Sequence, residues 1–381
     1  MGRLAVVAVL ATLRSSGGLQ QQTLATEGPG REQPRAVAWL ISGQVSRFIY
    51  KDSAKFIDGG IHAWSGCSDY DKRHAECPIA VDVHIALSNT NVTGFRGAKY
   101  ELPAYGEGAF EKPSIEKHFE TMRVSDGMRR VAESMRNEFA SSGAREVHIR
   151  IVDGDGFEKD MRKVREDILA KAKATSNMDP DAFDYWWRKL PSREGRFEQN
   201  GNMMYLRHLA YSSAVAAEKK LPYKYTHVLY TREDNVFVHP PFTLLQLARD
   251  MDNGAAPSES PAAILVDKHC GWNFYSDKLY FASRRGIDVL FARTRDAHIS
   301  QMAQWINMAP TATKGTDPLM TEEYFKRLLE AAHANVTKFE FRRFEARYVA
   351  GSSKPCIPDL YRKCTIVPMF DTCPKKFAGY R

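Results

Sequence analysis

The fold is decided by one stretch of the chain, Tyr225-Thr226-His227-Val228-Leu229-Tyr230-Thr231-Arg232-Glu233-Asp234-Asn235-Val236-Phe237. Its first half is rich in β-branched, aromatic and aliphatic residues, which predicts a buried strand. Side chains alternate between the faces of a strand, so Val228, Tyr230 and Arg232 share one face, joined by Asp234 if the extended conformation continues. The stretch thus predicts a polar strand end at the edge where open α/β sheets bind ligands.

Taken alone, this polar end has two interpretations. In the first, Arg232 and Asp234 form an ion pair at the strand end and Asn235 begins a turn. In the second, the side chains of Arg232 and Asp234 both face a ligand. The ion pair is the usual arrangement for an isolated charged triplet, so the choice depends on the rest of the chain.

Other parts of the chain predict further elements. Apolar runs or alternating segments predict strands, and apolar residues at helical spacing or a helix-favouring composition predict helices. The residues between 176 and 202 read as a polar linker. The predicted strands lie at 36–41, 80–87, 146–152, 263–266, 279–282 and 338–349, and the predicted helices at 128–139, 161–172, 203–219, 244–250, 285–292 and from 321.

The first predicted strand runs into a second candidate ligand loop, Ser42-Gly43-Gln44-Val45-Ser46-Arg47-Phe48. Backbone N–H groups and an Arg fork after a buried strand are suited to holding a diphosphate. The alternative is a tight turn with a solvated Arg47.

The third predicted strand ends in Asp153-Gly154-Asp155-Gly156. Paired carboxylates after a strand suit a hard divalent cation, which makes Asp153 and Asp155 a rival metal site. Asp and Gly are also typical of a turn from strand to helix, with Asp155 as the helix cap. The turn is the favoured interpretation.

The N-terminus predicts entry into the secretory pathway. A short basic start, Met1-Gly2-Arg3, precedes a largely apolar run from Leu4 to Leu13, the length of a signal-peptide core. An uncleaved anchor or a mispredicted start codon is the alternative. The predicted organisation is a signal peptide or short anchor at 1–19, a flexible stem at 20–35, an α/β domain at 36–350 and a Cys-bearing tail at 351–381.

The cysteines and two sequons are consistent with that route. The six cysteines are an even number, which allows local disulfides in an oxidising lumen. Sequons at Asn91 and Asn335 are usable there. The expected location is the ER or Golgi lumen or the cell exterior, with membrane contact only through an uncleaved anchor.

Charge composition narrows the partners. The 54 basic and 46 acidic residues give a net charge of +8, spread along the chain. This favours a phosphate-bearing small substrate or a plain soluble surface over nucleic acid. The sequence carries no Gly-x-x-x-x-Gly-Lys-Ser/Thr loop, Gly-x-Ser-x-Gly elbow or His-Glu-x-x-His helix, so phosphotransferase, sulfotransferase and hydrolase classes receive no motif support.

Four segments resemble GT-A-type glycosyltransferases in their order along the chain. Arg232 to Phe237 is similar to the family's Arg-x-Asp-x-x-Phe element, and Ser42 to Phe48 to a Ser-Gly-x-x-x-Arg-Phe opening. The segments 277–284 and 322–349 resemble acceptor-side and last core elements. The resemblance implies a GT-A-like, Rossmann-like three-layer α/β sandwich with a mostly parallel central sheet.

It also implies a chemistry, transfer of a sugar from a nucleotide sugar to a hydroxyl on a glycan, protein or lipid. The implied metal residue is Asp234, holding Mn²⁺ or Mg²⁺ against the diphosphate, and the implied acceptor-side residues are Asp277 and Glu323. Without the resemblance these two read as a capping carboxylate and a helix-dipole partner. The implied donor-binding residues are Ser42, Gly43, Gln44, Arg47 and Arg232.

One departure from the family pattern bears on function. Arg232 occupies the first acidic position of an Asp-x-Asp element, which leaves open whether the chemistry needs a metal. The alternative function is a secreted, non-catalytic carbohydrate-binding or structural protein on a degenerate transferase fold.

Overall fold

The structure is a computed structural model of the 381-residue chain. Every residue it describes lies within one compact unit, Pro34–Arg381. The described residues are 35–45, 48, 60–66, 79–88, 124–152, 163, 166–167, 169–171, 173–176, 191–222, 224–233, 235–237, 243–252, 263–267, 278–291, 326, 329–330, 334–339 and 343–345.

A seven-stranded sheet forms the centre of the described fold, in the order β3-β2-β1-β4-β7-β6-β8. All of its strands run in one direction except β7, which is antiparallel to β4 and to β6. Its strands are β1 Arg35–Gln44, β2 Ile79–Ser88, β3 Glu146–Val152, β4 His227–Arg232, β6 Ala263–Asp267, β7 Leu279–Ser283 and β8 Asn335–Phe339. The prediction of an α/β fold with a mostly parallel sheet is confirmed.

Five described helices accompany the sheet, and two short strands form a separate ribbon. The ribbon pairs β5 Asn235–Phe237 with β9 Arg343–Glu345 in antiparallel fashion. The helices are α1 Gly60–Trp64, α2 Val124–Ser141, α3 Pro191–Glu218, α4 Leu244–Asp252 and α5 Arg284–Phe291. No described helix combines the length and apolar character needed to cross a membrane.

Helices cover both faces of the sheet, because each central strand presents apolar side chains to both faces. Val228 and Tyr230 of β4 belong to the core shared with α3 and α5. Leu229 belongs to the opposite core, shared with α1, α2 and α4. There the Trp39 ring lies 5.5 Å, centroid to centroid, from Phe139 of α2. The described architecture therefore has three layers.

Three local predictions differ from the structure. Helix α3 begins at Pro191 and includes residues expected in a polar linker. The single strand expected at 338–349 is instead the end of β8 and all of β9, in two different sheets. Strand β4 ends at Arg232 and Glu233 lies in a turn, so the regular alternation of faces stops before Asp234.

Toward the amino ends of the parallel strands, a buried polar cluster ties β2, β3 and β4 together. Asp82 of β2 accepts hydrogen bonds from the guanidinium group of Arg145 and, at 2.7 Å, from the hydroxyl of Tyr225. The ring nitrogens of His84 lie 3.0 Å from Ser213 Oγ and 3.1 Å from Tyr225 Oη. These contacts satisfy the buried polar atoms, which would otherwise destabilise the core.

The imidazole of His84 makes stability depend on pH. Burial, and then the neighbouring His148, lowers the pKa of His84 from 6.5 to about 3. The unfolded chain therefore takes up a proton on this residue more readily than the folded chain. The contribution of the neutral His84 side chain to the free energy of unfolding is intact above pH 6.5 and is lost progressively as the pH falls toward 3.

We expect a matched pair of proteins to show this effect. Between pH 6.5 and 4.5, wild type should lose up to about 1.4 kcal/mol of unfolding free energy per pH unit more than His84→Gln, in which Gln keeps hydrogen-bonding capacity without titrating. Urea unfolding at a series of pH values measures the difference. Parallel curves for the two proteins over this interval would contradict the assignment.

Candidate functional site

The sheet reverses its direction of growth between β1 and β4. From β1 the chain adds β2 and then β3 on one side, and β4 pairs with the other side of β1. In open α/β sheets such a topological switch point leaves a crevice outside the carboxyl ends of the two strands. In this protein those ends are Ser42-Gly43-Gln44 of β1 and Arg232 of β4.

Backbone pairing fixes these two strand ends side by side. Ser42 and Arg232 are register partners, and the backbone N–H of Glu233 donates to the carbonyl of Ser42 at 3.2 Å. On the other side, the backbone N–H of Arg232 donates to the carbonyl of Lys278 at 3.0 Å. The ends of β1 and β4 and the start of β7 thus form one continuous edge.

The side chain of Asn235 holds the turn after β4. It is buried, and its amide Nδ2 donates to the carbonyl of Arg232 at 3.2 Å and to that of Lys278 at 3.0 Å. A side-chain amide bridging two backbone carbonyls can replace the ladder bonds that end here. The turn is consequently tied to both β4 and β7.

Gly43 is required by the approach of Glu233. The Glu233 side chain, only 3% exposed, covers the Cα of Gly43, and a Cβ at that position would overlap its carboxyl group. The guanidinium Nε of Arg232 lies 4.0 Å from the Glu233 carboxylate. The lack of a side chain at Gly43 therefore leaves room for the acidic side chain of Glu233 at the end of β1. The sequence predicted only a turn or a ligand loop at this point.

A buried cation lies beneath this edge. Arg207 of α3 has no solvent exposure, and its Nε donates to the hydroxyl of Tyr230 at 2.7 Å. Its guanidinium carbon lies 4.4 Å from the centre of the Tyr230 ring, and cation–π attraction stabilises charge in such a setting. The Tyr230 hydroxyl is also 2.9 Å from Ser42 Oγ. A line of polar contacts thus connects the arginine to the end of β1.

The predicted site residues fall into two groups. The structure brings together Ser42, Gly43, Gln44 and Arg232 at the switch point. The hydroxyl of Ser42 is directed into the core toward Tyr230, so the described part of Ser42 that adjoins the edge is its backbone. Outside the described residues lie Arg47, Asp153, Asp155, Asp234, Asp277 and Glu323.

Sequence reasoning did not select Glu233 or Arg207 as site residues. Arg207 has a signal in the sequence, because it lies on the apolar face of α3 with Met204, Ala210 and Tyr211 at helical spacing. Glu233 has none, since its importance comes from the packing against Gly43, a residue far away in the chain.

The described carboxylates do not form a metal site by themselves. Within the described ranges, no group of three His, Cys, Asp or Glu side chains is close enough to hold an ion. Glu233 offers one carboxylate, and it is packed between Gly43 and Arg232. All six cysteines lie outside the described residues, so the disulfide prediction stays a prediction.

Comparison with known proteins gives one structural similarity. No family model and no curated protein matches the sequence. Among solved structures, mouse xyloside xylosyltransferase 1 in its apo form aligns over 80% of this chain and 84% of its own, with 8% sequence identity and a TM-score of 0.31. At these values we draw no functional conclusion from the similarity.

Proposed function

We propose that the protein is a glycosyltransferase that moves a sugar from a nucleotide-sugar donor to a hydroxyl acceptor. The observation that carries the proposal is the pairing of Ser42 with Arg232 at the β1–β4 switch point. This is the position in an open α/β sheet where a nucleotide binds across the carboxyl ends of the strands. The resemblance of both segments to glycosyltransferase elements supports the same position.

Among the described side chains at this edge, the positive charges of Arg232 and Arg207 outnumber the single negative charge of Glu233, and a positive balance suits a diphosphate leaving group. The side chain of Arg232 is 14% exposed, so part of it reaches solvent at the end of β4. Arg207 adds a positive charge from below, in surroundings where low polarity strengthens its field. As the sugar departs, negative charge grows on the nucleotide, and fixed positive groups that stabilise this charge lower the barrier.

The remaining roles rest on residues outside the described ranges. We propose that Arg47 contacts the diphosphate and that Asp277, which precedes Lys278 in the chain, or Glu323 orients or deprotonates the acceptor hydroxyl. We also propose Asp234 as a ligand of Mn²⁺ or Mg²⁺. Such an ion would supply Lewis-acid stabilisation of the leaving diphosphate.

We propose that the protein acts in the lumen of the secretory pathway or outside the cell. The basic start and apolar run at residues 1–13 support this location. The sequon Asn335-Val336-Thr337 lies at the start of β8, and Asn335 and Thr337 are exposed there, as an oligosaccharide acceptor must be.

A donor panel tests the function. Protein expressed through a secretory route is incubated with UDP-, GDP- and CMP-sugars, and nucleotide release is measured with Mn²⁺ and with chelator, beside Asp234→Ala. We expect release from one nucleotide class, lost with chelator and lost in Asp234→Ala. Nucleotide release that persists with chelator and in Asp234→Ala would rule out the metal role of Asp234 and would still establish an enzyme. If no donor is bound or consumed, the non-catalytic carbohydrate-binding protein becomes the better account.

A further inference from the structure

A second cleft lies at β3, two strands away from β1. It has a volume of about 430 Å³, within the range of small-molecule sites. Three elements line it: α2 contributes Arg136, β3 contributes Val147 to Arg150, and α3 contributes Leu209, Ser212, Ser213 and Ala216. With β2 lying between them, β3 and β1 are about 10 Å apart at ordinary strand spacing, and none of the described residues that line the cleft belongs to β1 or β4.

The charges of this cleft favour an anion. The side chains of Arg136 and Arg150 are exposed, and neither makes an ion pair or hydrogen bond within the part of the chain that the structure describes. Of the described residues that line the cleft, none is acidic. Two guanidinium groups without a carboxylate partner make a cleft in which a phosphate group can accept several hydrogen bonds.

A chain of hydrogen bonds sets which way the Ser213 hydroxyl points. Tyr225 keeps its proton, because burial and then the hydrogen bond to Asp82 raise the pKa of its phenol. That proton is donated to Asp82, so the phenol oxygen accepts from His84 Nε2–H. His84 is neutral, and its other nitrogen, Nδ1, then accepts the hydroxyl proton of Ser213.

The consequence lies on the cleft side of Ser213. With its proton committed to His84, the hydroxyl oxygen presents lone pairs to the cleft and serves as an acceptor. An acceptor near two arginines suits a ligand that carries both an anionic group and a hydroxyl donor. Inorganic sulfate, which carries no hydroxyl at neutral pH, satisfies only the first requirement.

We propose that this cleft binds a small phosphate ester that carries free hydroxyl groups. Its phosphate contacts the guanidinium groups of Arg136 and Arg150, and one of its hydroxyls donates to Ser213. The proposal is independent of the donor site at the β1–β4 edge, since the two sites share no described residue.

Isothermal titration of the full chain with glucose 6-phosphate, inorganic sulfate and glucose tests the site. We expect glucose 6-phosphate to bind more tightly than inorganic sulfate and glucose not to bind. Arg150→Glu and Arg136→Glu should weaken both anionic ligands by at least about tenfold, because each removes a charged hydrogen bond. The control is Arg130→Glu, an exposed position on the same helix as Arg136 outside the cleft, which should leave affinity unchanged.

Ser213→Ala separates the two halves of the proposal. It should weaken the binding of glucose 6-phosphate and leave the binding of inorganic sulfate unchanged. Thermal unfolding confirms that each variant is folded. If a charge-reversal variant is not folded, Arg150→Gln is used in its place. No binding of glucose 6-phosphate to wild type, or equal losses in Arg150→Glu and Arg130→Glu, would overturn the site. An equal loss of both ligands in Ser213→Ala would overturn the hydroxyl contact.

Discussion

Replacing Asp82 by Ala is expected to lower the free energy of unfolding by about 3 kcal/mol, the lower end of the range for breaking a buried ion pair. The carboxylate has no solvent exposure and holds both Arg145 and Tyr225. Without it, the Tyr225 hydroxyl is buried with one partner fewer, and Arg145 faces a cavity. The lower end applies because the Arg145 side chain is 34% exposed and recovers part of its hydration.

Chemical denaturation of matched variants measures this effect. Asp250, an exposed carboxylate on α4, is the control, and Asp250→Ala should change the unfolding free energy by less than about 0.5 kcal/mol. The double variant Asp82→Ala/Arg145→Ala should lose less unfolding free energy than the two single variants together, because the two side chains share one interaction. A loss below about 1 kcal/mol for Asp82→Ala would show that the cluster contributes little to stability.

Replacing Arg232 by Gln is expected to reduce kcat/KM for the nucleotide sugar by about 10- to 100-fold, the equivalent of one charged hydrogen bond. Arg232 ends β4 at the switch point, and its side chain is partly exposed there. Gln keeps some hydrogen-bonding capacity and removes the charge, so the loss reports the electrostatic contribution to binding the diphosphate.

The chain offers a matched control for this substitution. Arg285 is exposed at the start of α5, directly after β7. Because β7 is antiparallel to β4, Arg285 follows the strand end that lies beside the amino end of β4, whereas Arg232 is at the carboxyl end of β4. Arg285→Gln should leave kcat/KM within about twofold of wild type, because surface changes away from a site are usually neutral. Equal activity of the two variants and wild type would remove Arg232 from the donor site.

The strands of the main sheet were predictable because their information is local. The segments predicted as strands at 36–41, 146–152 and 279–282 correspond to β1, β3 and β7, and Val228 and Tyr230 share one face as predicted. The start of α3 was missed although Pro191 is a favoured first residue of a helix. The polar residues that follow it outweighed that single signal.

Contacts between distant parts of the chain had no local signal. The indole Nε1 of Trp39 donates to Thr231 Oγ1 at 2.9 Å across 192 positions of sequence, and Glu233 covers Gly43 over a similar separation. No short pattern encodes such pairs, because they depend on which strands become neighbours. The sequence therefore indicated which strand ends carry polar residues, while the sheet order brought Ser42 beside Arg232.

The most direct test of the proposed donor site is amide hydrogen exchange with and without the nucleotide sugar that the donor panel selects. We predict increased protection confined to the carboxyl ends of β1 and β4 and the segments that follow them, residues 42–48 and 231–237. Arg232→Gln should reduce that protection at equal ligand concentration, and Arg285→Gln should not. Protection at β3 and α3 without any change at the ends of β1 and β4 would contradict the account.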